Sequence, residues 1–407
     1  TLLLAASSPW WLAASPRSFL AIGALLHGGH LLHFSGQLAA VAGGAAAPLA
    51  TSRQWFPTDL VAWSFHGNAW SLLFAVMISG IGLLIFLYAL GYFGTSPKGH
   101  RFFAPLLAFE AAMLGLVMAD NAVLLFLFWE LTSITSFFLI GFNSEDAKSR
   151  WNALQALLVT GIGGVAMLAG FLILGHHWGS LSLTDWRAEI TAGAIPPIVP
   201  LILVLLGAAT KSAIFPFFFW LPNAMSAPTP VSGFLLSATM VKAGIFLFGA
   251  LHPLLETSRV IMETLVITGG LTALAGLTLG WVQTDLKKIL AYTTLSILGI
   301  LALLMGVGSP EALKAAVLVM LGHAVYKAGL FMAAGAVDKA TGTRDIRRLG
   351  GLRAAMPVLA ASSIVLALSK SGFPPLLGFI GKEYAYKFGF MSAGQAYAVL
   401  VFMFLVN

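Results

Sequence analysis

The chain has 407 residues, 59% hydrophobic and only 9% charged, with a mean hydropathy of +0.92. Soluble domains carry about 25% charged residues, so this chain cannot cover itself with a wet surface and reads as an all-α polytopic membrane protein. The absence of Cys excludes disulfides and thiolate metal sites. The net charge of +7 would suggest nucleic acid in a soluble chain, but loop bias between membrane spans accounts for it here.

Runs of about 20 apolar residues mark spans. The first 50 residues hold one or two weak ones, interrupted by Gly and Ser. Clear runs follow near 70–93, 104–119, 121–142, 152–175, 195–215, 230–251, 260–282, 289–307, 312–336 and 355–371, and a last one starts near 394. About 13 spans are expected. No basic n-region precedes the first apolar residues, so no cleavable signal is expected. The chain stops inside "AYAVLVFMFLVN", which predicts that it is part of something longer.

Basic residues alternate between the two sets of connections. One set holds Lys98, Arg101, Lys148, Arg150, Lys287, Lys288, Lys339, Arg344, Arg347, Arg348 and Arg353; the other holds Arg53, Arg187, Arg259 and Lys314. Eleven against four places the first set in the cytoplasm.

Charges inside the spans carry the chemistry. In "FLFWELTSITSFFLIGF" Glu130 sits near the middle of an apolar run. An ionisable group there costs about 2.5–3.5 kcal/mol on insertion scales, so it needs a partner or a function. Lys211, Lys242, Lys327, Lys370 and Lys382 lie within or at the edges of apolar segments, with Lys387 just beyond; Glu110 and Glu263 are further acids. Snorkelling towards the interface explains Lys370 and Lys387. It fits Lys211, Lys242 and Lys327 poorly, because apolar or small residues flank each for many positions.

"GAATKSAIFPFFFWLP" and "LALSKSGFPPLLGFIGK" share a pattern of Lys-Ser, a short apolar step and proline. Pro216, Pro374 and Pro375 remove backbone donors in mid-membrane, tolerated only where protein or water re-satisfies the freed groups. Paired interruptions point to repeats with an ion site near the midplane. The alternative is an ordinary proline kink, and a lysine beside both breaks weighs against it. An ammonium in apolar surroundings yields its proton more readily, and an approaching carboxylate restores it. A Glu130–Lys211 pair of variable separation would therefore be a switch, with a static salt bridge as the alternative.

"FWELTSITSFFLIGF", "TKSAIFPFFFWLPNAMSAPTPVSGFLLSATMVKAG", "DLKKILAYTTLSILG", "GHAVYKAGLFM", "ATGTRDIRRLGGL" and "GFPPLLGFIGKE" resemble the antiporter-like subunits of Mrp cation/proton antiporters and of respiratory complex I. "VDKATGTRDIRRLGGL" and "SITSFFLIGFNSED" look most like the large A subunit of the Mrp antiporter. The resemblance implies two inverted five-helix repeats, each with a proline-broken helix, so that 1–66 is N-terminal, 67–251 the first repeat with its preceding span and 252–407 the second. It implies an ion-translocating subunit of a multisubunit Na⁺/H⁺ antiporter, not an enzyme, in the bacterial cell membrane. Its partners would be other subunits, the lipid bilayer, H⁺ and Na⁺, and it would need no cofactor. A proton-pumping subunit of a complex I or membrane-bound hydrogenase is the alternative.

By motif, Glu130 is the acid of the first repeat and Lys211 its broken-helix partner. Lys242 links the repeats, His323 and Lys327 belong to the second, and Lys382 ends its broken helix. Glu110, Asp120, Lys370 and Glu383 stand as modulators. The family often has His in place of Phe218 and Leu236, so ordered water near Lys242, supported by Ser237, Thr239 or carbonyls at the break, is expected to bridge the halves. Glu110 and Lys370 occur where apolar or small residues are expected.

His27, His30 and His33 in "HGGHLLH" share one helical face, but without Cys or an acidic ligand they read as interfacial histidines rather than a metal cluster. His176 and His177 beside Trp178 read as an interface anchor. No Walker A or dinucleotide fingerprint is present, and the glycines of "TGIGGVAMLAG" read as close helix packing.

Overall fold

The computed structural model describes residues 1, 4, 5, 7, 16–54, 62–93 and 98–391. The expected span from 394 lies outside them, as do the side chains of Lys98, Arg101 and Lys387.

Helix α1 (Pro16–Ala42) leads into a β-hairpin, β1 (Leu49–Gln54) antiparallel to β2 (Ala62–Gly67). Four long helices follow: α2 (Ala69–Phe93), α3 (Lys98–Met118), α4 (Ala122–Ile140) and α5 (Ala147–Trp178). A short α6 (Leu183–Thr191) precedes α7 (Ile198–Lys211), and beyond a break come α8 (Trp220–Asn223), α9 (Thr229–Ser237), α10 (Ala243–Ala250) and α11 (His252–Leu255). The second half comprises α12 (Arg259–Trp281), α13 (Leu286–Val307), α14 (Pro310–Thr341), α15 (Leu352–Ala355), α16 (Pro357–Ser371) and α17 (Leu377–Met391).

Seven helical stretches among the described residues are long and apolar enough to cross a membrane, and Phe102–Met118, Ile198–Lys211 and Pro357–Ser371 are shorter apolar helices. Each of the ten clear runs expected between 70 and 371 therefore has a helix. The hairpin and α6 were not expected, whereas α17 carries Lys382 beyond the second proline break. The hairpin strands are only six residues each and half of their positions face outwards, so they lack the apolar length that marks a span.

Polar residues set the helix starts. Asn121 accepts from Val123 N and Leu124 N (3.0 and 3.3 Å), Asp146 caps α5 through Lys148 N and Ser149 N, and Asp285 caps α13 through Lys287 N and Lys288 N. Without hydrophobic drive between helices in lipid, close packing carries the association. At Gly269, Gly276 and Gly299 a methyl would collide with facing backbone, so α12 and α13 lie backbone against backbone.

The stretch Thr229–Ala250 is fully buried at the centre, with α9 against α2 and α14, and α10 against α7. It was expected as one continuous helix over 230–251. It is broken instead: α9 stops at Ser237, Thr239 adopts φ −124° and ψ −104°, and a 3₁₀ turn Met240–Lys242 precedes α10. No proline or glycine marks the break. Ser237 Oγ donates to Gly233 O and Thr239 Oγ1 to Phe234 O (2.5 and 2.7 Å), hydroxyl bonds that compete with the helical ladder.

Lys287 also departs from expectation. It was counted among loop cations, yet it is buried at the start of α13, donating to Ala227 O at 2.5 Å. It lines a cavity of about 700 Å³ with Asp285, Asp338, Arg344 and Asp345. Beside it, exposed Arg347 holds the Asp345 carboxyl down to about 2 through a 2.6 Å ion pair.

Candidate functional site

Glu130 projects from α4 towards α5. A methyl at Gly164 would overlap its Oε1, whereas one at Gly161 would stand 3.8 Å from Oε2. Gly163 likewise makes room for Thr210 of α7. The glycines expected to serve close packing thus also make the space that the carboxylate occupies. Oε1 of Glu130 is buried with no hydrogen-bond partner among the described residues.

Lys211, at the end of α7, is fully buried and reaches the same turn of α4. Its Nζ donates to Trp129 O at 2.9 Å and to Ser133 Oγ at 2.7 Å, and sits 5.1 Å from the centre of the Trp129 ring. The two residues are within electrostatic range. The ammonium bonds to the backbone carbonyl next to Glu130, and no ion pair between the two side chains occurs among the described residues.

The expected break follows at once. Ala213 takes a positive φ of 53°, rare for a residue with a side chain. Phe215 N donates to Thr272 Oγ1 (2.8 Å) and Trp220 Nε1 to Thr210 O (3.0 Å), which re-satisfies groups freed around Pro216. Ser212 Oγ donates to Val241 O at 2.7 Å, tying this break to the unexpected one in front of Lys242. In the second half, α16 ends at Ser371 and Gly372 (φ 83°) turns the chain through Pro374 and Pro375 into α17.

Lys242 is fully buried and donates to Ser237 O, a carbonyl that the break in α9 leaves free, and to Met320 O of α14 at 3.4 Å. Lys327 is also fully buried, donating to Leu290 O (2.7 Å) and Thr293 Oγ1 of α13. His323 lies one turn before Lys327 on α14, and neither of its ring nitrogens has a partner among the described residues. Lys370, half-buried at the end of α16, is within electrostatic range of His323, Lys327 and Lys382. Lys382 is half-buried, with Nζ 3.3 Å from Ser371 O, and Glu383 beside it is half-buried too.

The contacts around the link run through the backbone. Ser237 and Thr239 spend their hydroxyl protons on their own helix, so Lys242 is held by carbonyls instead. Leu236 is buried, and Phe218 stacks on Phe215 with ring centroids 6.3 Å apart. The histidines of "HGGHLLH" are not uniformly interfacial: His27 is buried and pairs with Glu110 at 2.5 Å. No cluster of three or more His, Asp or Glu suited to a metal occurs among the described residues.

Asp120 sits just past the end of α3. It accepts from Ser182 Oγ (2.9 Å), Thr184 Oγ1 (2.6 Å) and Thr184 N (3.1 Å), anchoring α6 to the end of α3. Hydrogen bonds to a charged group contribute about 1.5–3 kcal/mol each. Asp120→Ala should lower the melting temperature of the detergent-solubilised protein while transport by the folded fraction is kept; loss of transport at unchanged stability would assign Asp120 to the ion path.

Residues 119–406 match the family described as "NADH:quinone oxidoreductase/Mrp antiporter, TM", and residues 55–103 match "NADH-Ubiquinone oxidoreductase (complex I), chain 5 N-terminus". The chain belongs to this family of multi-pass membrane subunits. It is 46% identical over 331 residues to the A/B subunit of a probable K⁺/H⁺ antiporter of Rhizobium meliloti, covering 81% of this chain and 33% of that protein. It is 41% identical over 344 residues to the A1 subunit of a Na⁺/H⁺ antiporter of Staphylococcus haemolyticus, covering 81% and 43% respectively. A chain of the Mrp complex from Dietzia sp. DQ12-45-1b superposes with a TM-score of 0.87 at 34% identity, over all of this chain and 44% of that one. Respiratory complex I from Thermus thermophilus shares the fold, with a TM-score of 0.83 at 24% identity. The chain spans about a third to under half of the length of these antiporter relatives.

Proposed function

We propose that this chain is an ion-translocating subunit of a multisubunit cation/proton antiporter in the bacterial cell membrane, working with other subunits as a secondary transporter rather than an enzyme. Protons pass along Glu130, Lys211, Lys242, His323, Lys327 and Lys382, through two inverted repeats that meet at the broken α9–α10 stretch. The observation that carries this reading is that Lys211, Lys242 and Lys327 are all fully buried and each held by carbonyl or hydroxyl oxygens rather than by a carboxylate. Such groups are expensive to keep charged in dry protein. A charge on one also raises the cost of a charge on the next. A proton arriving at one end of the series therefore favours release at the other, and the approach of Glu130 to Lys211 decides when loading occurs.

The assembled complex in everted vesicles should show proton flux driven by added Na⁺ or K⁺ and indifferent to NADH. Flux that demands NADH and ignores both cations would replace this reading with a proton-pumping subunit of a complex I-like assembly, which the shared fold also accommodates.

A further inference from the structure

Glu110 interrupts an apolar face of α3, and its partner is His27 of α1. The two side chains are each 2% exposed, with His27 Nε2 2.5 Å from Glu110 Oε2. His27 Nδ1 lies 2.6 Å from Gly23 O; a carbonyl only accepts, so Nδ1 carries a hydrogen. The bond to Glu110 then holds a single proton. Placed on Nε2 it gives imidazolium and carboxylate; placed on Oε2 it gives imidazole and carboxylic acid. Both forms are neutral overall, which suits a buried site.

The site is built, not accidental. Gly82 of α2 leaves room for both partners: a methyl there would stand 3.2 Å from Glu110 Oε1 and 3.3 Å from the His27 ring. Glu110 Oε1 is buried and has no hydrogen-bond partner among the described residues, so half of the carboxylate is open to a further proton donor or acceptor. His30 follows one turn on, about 4.5 Å along the axis; its Nδ1 is also buried without a partner among the described residues. His33, another turn on, is exposed. Other titratable groups facing this contact are few. Helix α2 has only Tyr88 and Tyr92, and α3 has Lys98, His100 and Arg101 at its far start.

We propose that His27 and Glu110 form a second proton-exchange site, apart from the Glu130–Lys382 series, that communicates through His30 and His33 with the end of α1 bearing the hairpin. In the forward step the shared proton leaves the pair for His30 Nδ1, which loses its own Nε2 proton towards His33. The pair is left as imidazole and carboxylate until a proton returns by the same route. A ring rotation or one bridging water spans each step.

Infrared difference spectroscopy on the whole complex in proteoliposomes tests this. A pH step on the hairpin side should produce a carboxyl band that persists in Glu130→Gln, disappears in Glu110→Gln and is slowed in His30→Phe. That independence from Glu130 separates this site from the transport reading above. The outer-pH midpoint of transport should also shift in Glu110→Gln. If Glu110→Gln does not assemble, His27→Gln/Glu110→Gln keeps a neutral hydrogen-bonded pair and should show the same loss of the band. A complex whose spectrum contains no Glu110-dependent band would make the pair a structural contact and overturn the proposal.

Discussion

Glu130→Gln in the assembled complex should abolish cation-driven proton flux, a loss of at least about a hundredfold, in the range that removing a positioned proton-transfer group produces. The amide is nearly isosteric, so the space beside Gly164 stays filled and folding should be unharmed or eased, since a buried unpartnered carboxylate oxygen is itself costly. Lys211 would keep its bonds to Trp129 O and Ser133 Oγ. Only the exchangeable proton is removed. Flux measured by a pH-sensitive dye in vesicles, normalised to the amount of assembled complex, checks this; normal flux would mean that Glu130 is a packing residue.

Gly164→Ala should cost nearly as much although it changes no titratable group. The added methyl falls on Glu130 Oε1, so either the carboxylate swings out of line with Lys211 or α5 retreats from α4. Overpacking of this kind costs about 1–3 kcal/mol in stability. A displacement of about 1 Å in a reacting group costs on the order of 10²-fold in rate. Gly161→Ala provides the control, because its methyl would make an ordinary 3.8 Å contact with Oε2. Flux should therefore be lost in the first variant and retained in the second. Equal flux in both, at equal assembly, would show that the position of the carboxylate does not matter.

Much of this architecture was legible in the amino-acid order, because membrane spans are written in long apolar runs. Nine of the ten runs between 70 and 371 each correspond to one helix and the tenth to the broken α9–α10 stretch, and the break after Lys211 stands where Pro216 and the Lys-Ser pair placed it. The buried lysines were legible for the same reason: a lone cation in such a run stands out. What escaped has no such mark. The break before Lys242 contains neither Pro nor Gly and rests on two hydroxyls bonding back along the helix. Ser and Thr occur in many unbroken helices; Thr132 and Ser136 make similar bonds in α4 and leave it intact. The His27–Glu110 pair joins residues 83 positions apart on separate helices, a distance that no local pattern spans. Lys287 looked like a loop cation because it follows Asp285 at a helix start, and only the fold brings Ala227 O over its ammonium.

If protons cross from the first repeat to the second through Lys242, proton flux by the Lys242→Met complex in proteoliposomes shows it with the fewest intervening assumptions. Methionine keeps the length of the stem in a fully buried site but cannot carry a proton between Ser237 O and α14. The expected result is a properly assembled complex whose cation-driven flux is lost and whose Glu130 carboxyl still changes protonation with pH on its own side. Wild-type flux through Lys242→Met would contradict a proton path through this lysine.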